Sequence, residues 1–300
     1  MWFLIAILGY FLLAGVFILD KFILTKSVGK PIVYTFYSTI LMFGVLLAWP
    51  LGVGWLSGID WFWATVSGLA FGFSVWTLFI SLKKGETSHI GPFNGAVVTI
   101  TTYIFAAYFL GERLSQAQGF GIGILIFASL LLSFEKTRKR NGFHIGFLWA
   151  MVSGVFGGIS LVSAKYLYTI YPFLTAFVWS KSLAGFVGLL VLFFPSVRRH
   201  LRENRWQKNK TGTRKTIGLV GLDKGLAVLG IILIQYAAAL GSVSLVSALS
   251  GLQFVLVFIL VYLLTKFIPK LFKEYFTKRE LMVEAVAILL VVFGSALFVI

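Results

Sequence analysis

Five polar residues set inside otherwise apolar runs are the ones here whose types suit chemistry: Lys181, Asn94, Gln235, Ser250 and Gln253. Each is costly in hydrocarbon, so each is a candidate for binding a solute. Lys181 lies eight residues into its run, ~12 Å of helix. It reads either as a cavity-facing cation for an anionic group, or as a lysine that snorkels to the interface or packs on helix-end carbonyls. Asn94 follows Pro92, where an interrupted hydrogen-bond ladder can aim carbonyls into a cavity. Asn94, Gln235, Ser250 and Gln253 read equally as interhelical hydrogen bonds worth ~1 kcal/mol each. Tyr34, Tyr37, Trp76 and Trp179 could wall a pocket, although with 17% aromatic residues such assignments carry little weight one by one.

Covalent and metal chemistry find little footing. The chain has no Cys, and its three His (His89, His144, His200) are scattered. GFGIG at Gly119 to Gly123 opens an apolar run with no strand before it, so its glycines read as helix packing, not as a phosphate cradle. The expectation is a protein that is not an enzyme and uses no cofactor or metal. The ten acidic residues are read as lying in loops or near helix ends, with no carboxylate at a bundle centre. Exchange of hydrophobic cations for protons needs such a carboxylate, which leaves neutral or anionic metabolites as the expected solutes.

These residues must be positioned by membrane helices. A chain 59% hydrophobic and 12% charged, with mean hydropathy +0.96, cannot bury that much apolar surface in one soluble core. Ten apolar runs follow: Trp2 to Leu19, Pro31 to Trp49, Trp61 to Leu82, Ile90 to Leu110, Gln116 to Phe134, Phe143 to Ala164, Phe173 to Phe194, Thr216 to Leu240, Val243 to Thr265 and Leu281 to Ile300. Each is close to the ~20 residues needed to cross a bilayer, the eighth being interrupted near its start by Asp223 and Lys224. No strand-like alternation appears, so the expected fold is an all-α integral membrane bundle of ten transmembrane helices. The first run lacks a basic leader and a cleavage pattern, and is expected to stay in the protein.

Phe3 to Lys21 reappears without a gap as Phe147 to Lys165, at an offset of 144 residues. Five runs lie within that offset, so the second copy must be inverted relative to the first. The chain divides into five-helix repeats at 1–134 and 143–300, joined by a cytoplasmic linker at 135–142. Twenty-two of the 26 Lys and Arg fall after odd-numbered runs, and Arg113 alone after an even one. The positive-inside rule places those odd connections in the cytoplasm and both termini outside, and Trp2, Trp49, Trp55, Trp61 and Trp63 then share the outer interface. The net charge of +16 is explained by such loops touching anionic inner-leaflet lipid, with no nucleic-acid partner. Within the second repeat, 196–215 reads as a solvated, partly disordered basic loop and 266–280 as an amphipathic segment lying in the inner headgroup layer.

Trp76 to Phe134 contains Gly85 and Ser88, Pro92, Gly111-Glu112-Arg113, and Gln118, Gly119 and Gly123. This closely resembles the EamA-type members of the drug/metabolite transporter superfamily. Gln235 to Ile300 is similar more loosely, through Ala238, Gly241, Ser244, Ser247, Phe293 and Gly294. It departs at Gln253, near where a proline is expected, and in a stretched helix end with Glu274 or Glu280 nearest the motif's glutamate. The resemblance implies a plasma-membrane secondary transporter of small metabolites, such as amino acids or related compounds, working by alternating access as a monomer or homodimer. It also implies that a basic residue in the second or seventh helix is common, which Lys181 supplies and Tyr37 replaces in the first copy. Glu112 and Arg113 are expected to tie an outward turn, and Lys21 and Lys165 to anchor opposite faces. A channel-like or lipid-handling protein of the same fold, and a non-transporting scaffold, stay open.

Overall fold

The computed structural model of the chain describes residues 1–24, 30–85, 87–133, 136–137, 140–141, 145–202, 210–267 and 278–298. They are helical apart from their connections and one short hairpin, Lys136–Thr137 paired antiparallel with Arg140–Asn141. Among the described residues nine spans are long and apolar enough to cross a membrane. They are built from α1 (Trp2–Phe22), α2 (Pro31–Ile40) continued by a 3₁₀ segment (Leu41–Leu51), α3 (Asp60–Lys84), α4 (Thr87–Phe109), α5 (Gln116–Ser133), α6 (Ile145–Ile170), α7 (Phe173–Ser182) with α8 (Gly185–Leu192), α10 (Lys210–Leu240), and α11 (Val243–Ala248) with α12 (Ser250–Phe267). The tenth expected run is met by α13 (Lys278–Ala296), whose apolar part is only Ala285–Ala296. Four of its first seven residues, Lys278, Arg279, Glu280 and Glu284, are charged, which keeps it short of the other nine.

Three expected boundaries are corrected. The second, seventh and ninth runs are not uniform α-helices, changing at Leu41, Leu183–Ala184 and Leu249. The basic loop expected at 196–215 is helical at both ends, because Pro195 starts α9 (Pro195–Arg202) at a position where its missing N–H is not needed. Val197 of α9 is fully buried with Val33, Phe36, Val187 and Val191, which holds that helix on α2 and α8. Residues 203–209, and 268–277 of the amphipathic segment, lie outside the described ones. The eighth run begins earlier than expected, at Lys210, and this moves Asp223 and Lys224 into a helix interior.

Packing follows small residues and reciprocal hydroxyls, as it must where lipid gives no hydrophobic drive between helices. α3 and α6 pack extensively. Ser67 and Ser160 each donate to the other's carbonyl, at 3.0 and 2.8 Å, and Ser74 and Ser153 do the same at 2.9 Å each. α1 packs on α10, α4 on α6, and α5 on α13. Glycines let backbones close up: Gly154 and Gly158 of α6 meet Val97 and Thr101 of α4, and Gly68 and Gly72 of α3 meet α8 and the break before it.

Candidate functional site

Within the bundle a cavity of about 270 Å³ is lined by α1, α2, α3, α4, α6, α10 and α12. From Tyr10 to Asp20 on α1 it extends ten residues, ~15 Å along the helix. Its walls are largely apolar, with Phe17, Phe71, Phe79 and Phe254 among them. Asn94, Gln235, Ser250 and Gln253 all line it. Each amide uses one end to hold a neighbour. Asn94 Nδ2 donates to Ala150 O at 2.8 Å, Gln253 Nε2 to Leu13 O at 3.4 Å, and Gln235 Oε1 accepts from Tyr168 Oη at 2.9 Å. The opposite ends, Asn94 Oδ1, Gln253 Oε1 and Gln235 Nε2, make no hydrogen bond among the described residues. Ser38 joins them on the wall, with its buried Oγ unpartnered among the described residues.

One end of the cavity is charged: Asp20 lies near the end of α1 as expected, but Asp223, expected in a loop or near a helix end, is inside α10. Asp20 and Lys224 line it, and Asp223 beside them is fully buried. Lys224 Nζ is 2.8 Å from Asp223 Oδ2 and 3.2 Å from Asp20 Oδ1. Tyr34 is fully buried, its Oη 2.6 Å from Asp20 Oδ1 and 2.8 Å from Asp223 Oδ2, its ring carrying Lys224 Nζ at 4.3 Å. Tyr34 thus serves the charged cluster instead of walling the pocket. The available signal was Asp223-Lys224 inside an apolar run, which hydropathy reads as an interruption near the run's start.

The other expected pocket residues lie elsewhere. Tyr37 packs on Phe36 and His200, and Trp76 on Phe73 and Phe194. Trp179 belongs to a cluster with Trp49, Trp55 and Trp61, and its Nε1 donates to Gly54 O at 2.8 Å. The cluster's loop is pinned by Tyr171, whose Oη donates to Asp60 Oδ2 at 2.7 Å. Lys181 is off the cavity wall and does not snorkel: it is fully buried, and its Nζ has no hydrogen-bond partner among the described residues. The ammonium stands 4.3 Å from the ring centroid of Phe71, a wall residue.

Lys21 and Lys165 anchor helix ends. Lys21 Nζ donates to Leu82 O at 2.5 Å and Gly85 O at 2.6 Å, closing the C-terminus of α3. Lys165 Nζ donates to Ala238 O, Ala239 O and Gly241 O at 2.8, 3.2 and 2.7 Å, closing that of α10. These carbonyls have no partner within their own helix and carry its negative dipole end, so an ammonium suits them. Lys165→Met should lower stability by ~2 kcal/mol, the scale of charge-assisted hydrogen bonds lost from a partly buried site. Thermal unfolding of the purified variant checks it, and an unchanged midpoint would reduce Lys165 to packing. Of the turn motif, Pro92 sits within α4, Gly111 follows α4 at φ 62°, and Arg113 is exposed. Glu112 does more than tie that turn, since it accepts a hydrogen bond from Ser244 at the start of α11.

No family model matches the chain. Over 78 residues, 26% of this chain and 55% of the other, it is 31% identical to an uncharacterized transporter in the cobO 3' region of a Sinorhizobium species. The chain therefore spans about half the length of that curated relative. A solved structure described only as the crystal structure of a protein shares the fold with TM-score 0.64 at 21% identity, covering 99% of this chain and 94% of that one. The nine long apolar helices among the described residues mark the chain as a multi-pass helical membrane protein.

Proposed function

We propose that the chain is a secondary transporter, of EamA type, that moves small neutral or anionic metabolites such as amino acids by alternating access. The observation that carries this is the cavity within the bundle, lined by Asn94 of α4 and by Gln235, Ser250 and Gln253 of α10 and α12. At about 270 Å³ it is just under the ~300–1,000 Å³ usual for drug-sized ligand sites, which favours small metabolites over whole lipids. The relative named as a transporter adds to the same reading.

Several features support two inverted five-helix repeats, 1–134 and 143–300, with α13 as the tenth crossing. The repeat that matches α1 with α6 at 144 residues matches α3 with α10 at 156, from Gly85 to Gly241, and the α3–α6 and α10–α1 pairs both pack extensively. Lys21 and Lys165 close corresponding helix ends, and the second and seventh spans both change course midway. The charge bias supports a plasma-membrane location with basic loops and anionic lipid on the cytoplasmic side and both termini outside. In this reading the protein catalyses no covalent reaction.

The test begins with untargeted metabolite comparison of cells with and without the protein, followed by counterflow of the labelled hits in proteoliposomes. Saturable flux is expected, with Asn94→Ala and Gln253→Ala each raising KM about fivefold, or ~1 kcal/mol. Reconstituted, well-folded protein that moves none of the compounds whose levels it alters would overturn the reading.

A further inference from the structure

The contacts around Tyr34 do not balance without an additional proton. Its hydroxyl holds one hydrogen, yet its oxygen is within 2.6 Å of one carboxylate oxygen and 2.8 Å of another. It can donate to Asp20 or to Asp223, and the second contact then brings two acceptor oxygens together unless a carboxylic acid donates back. Charge leads to the same count. Two aspartates and one lysine leave one net negative charge in a cluster where Asp223 is fully buried and its Oδ1 finds no donor among the described residues. One added proton makes the cluster neutral, which an apolar surrounding strongly favours.

We propose that Asp20, Tyr34, Asp223 and Lys224 form a proton-binding site at the end of the cavity, and that solute movement is coupled to the proton it holds. The site proper needs only the geometry; the coupling rests on the transporter reading. On loading, a proton from water in the cavity bonds to the carboxylate oxygen that faces Tyr34 Oη and donates to it, while Tyr34 donates to the other aspartate. On release the proton returns to water, and both carboxylates share Lys224. Asp20 and Lys224 touch the cavity, so proton and solute can meet there.

The neighbouring charges are otherwise engaged. On α1, Lys21 is bound to Leu82 O and Gly85 O; on α3, Lys83 Nζ reaches Leu24 O at 3.5 Å and Phe79 presents an aromatic ring; on α9, His200 faces Tyr37, one turn from Tyr34.

The test is infrared difference spectroscopy of the purified full chain as pH is stepped from acid to alkaline, read at the deuterium-sensitive C=O stretch of a protonated carboxylic acid. Wild type should show a band that bleaches on alkalinisation. Asp20→Asn and Asp223→Asn should each abolish it, because one remaining carboxylate pairs with Lys224 and stays ionised. Lys224→Gln should make the band persist to more alkaline pH, and His200→Gln should leave it unchanged. A folded wild-type protein with no such band, or a band indifferent to both asparagine variants, overturns the proposal even if the variants themselves fold poorly. Bleaching by sodium in place of choline at fixed pH would assign the site to a metal cation and overturn it too. The spectra need no solute. A band without any flux would therefore sink the transporter reading and coupling alone, whereas flux without a band would sink the proton site.

Discussion

Gly68→Val should give no correctly folded protein, an outcome read as aggregated material in fluorescence-detected size exclusion. A Cβ at Gly68 would lie 2.6 Å from Leu183 Cβ, 2.8 Å from Ala184 N and 2.8 Å from the Leu183 carbonyl carbon. Two of those three atoms are backbone, so no rotamer change makes room. The contact joins α3 to the break between α7 and α8, and relieving it would separate two spans. Gly68→Ala already introduces that Cβ and should cost ~1–3 kcal/mol by overpacking. Gly123 is the control, since a Cβ there meets nothing within 4 Å. Gly123→Ala should be neutral or stabilising by up to ~1 kcal/mol from helix propensity. If Gly68→Val folded and melted like wild type, the approach of these helices would be looser than described.

Lys181→Met should raise the melting temperature of the purified protein while lowering flux at least tenfold. A lysine at the centre of a membrane helix costs ~2.5–3.5 kcal/mol, and a cation–π contact returns up to ~2 kcal/mol. With Nζ unpartnered and the side chain fully buried, the net gain on removal is at least ~0.5–1.5 kcal/mol. Stability gained with activity lost marks a residue kept for function. In the transporter reading the ammonium attracts anionic groups through the Phe71 edge of the cavity, so Lys181→Arg should keep part of the flux. A Met variant less stable than wild type would show that the ammonium has an attractive partner. Equal flux in both would leave solute recognition to Asn94, Gln235, Ser250 and Gln253.

Hydropathy located the spans because crossing hydrocarbon demands long apolar runs wherever the helices go. The same demand hides which face of a helix meets its neighbours, since lipid-facing and protein-facing sides are both apolar. Polar exceptions escape that degeneracy, and Asn94, Gln235, Ser250 and Gln253 do share one cavity. Aromatic residues do not escape it, and Tyr37, Trp76 and Trp179 pack elsewhere. Asp20 and Asp223 were missed for a different reason. A charge near the end of an apolar run looks like its boundary, and only the early start of α10 at Lys210 shows Asp223 to be interior. The helix change at Leu41 is equally silent in the sequence, for Leu, Met, Phe and Val suit either winding.

That change of winding sets how the second span fits its membrane. Ten residues of α2 rise ~15 Å and the eleven of its 3₁₀ continuation ~22 Å, so Pro31–Leu51 reaches ~37 Å where a uniform α-helix would reach ~31 Å. Against ~30 Å of hydrocarbon this span has a surplus, to be absorbed by tilt or by overhang at its Trp49 end. None of the eleven 3₁₀ residues is fully buried, and its packed side chains are few, Phe43 on Phe186 and Trp49 on Trp55 and Trp179; each residue rewound shortens the span by ~0.5 Å. A change of bilayer thickness would be met here by rewinding against those aromatic contacts, and the acyl-chain length of the host lipid becomes a variable that any reconstitution of this protein has to control.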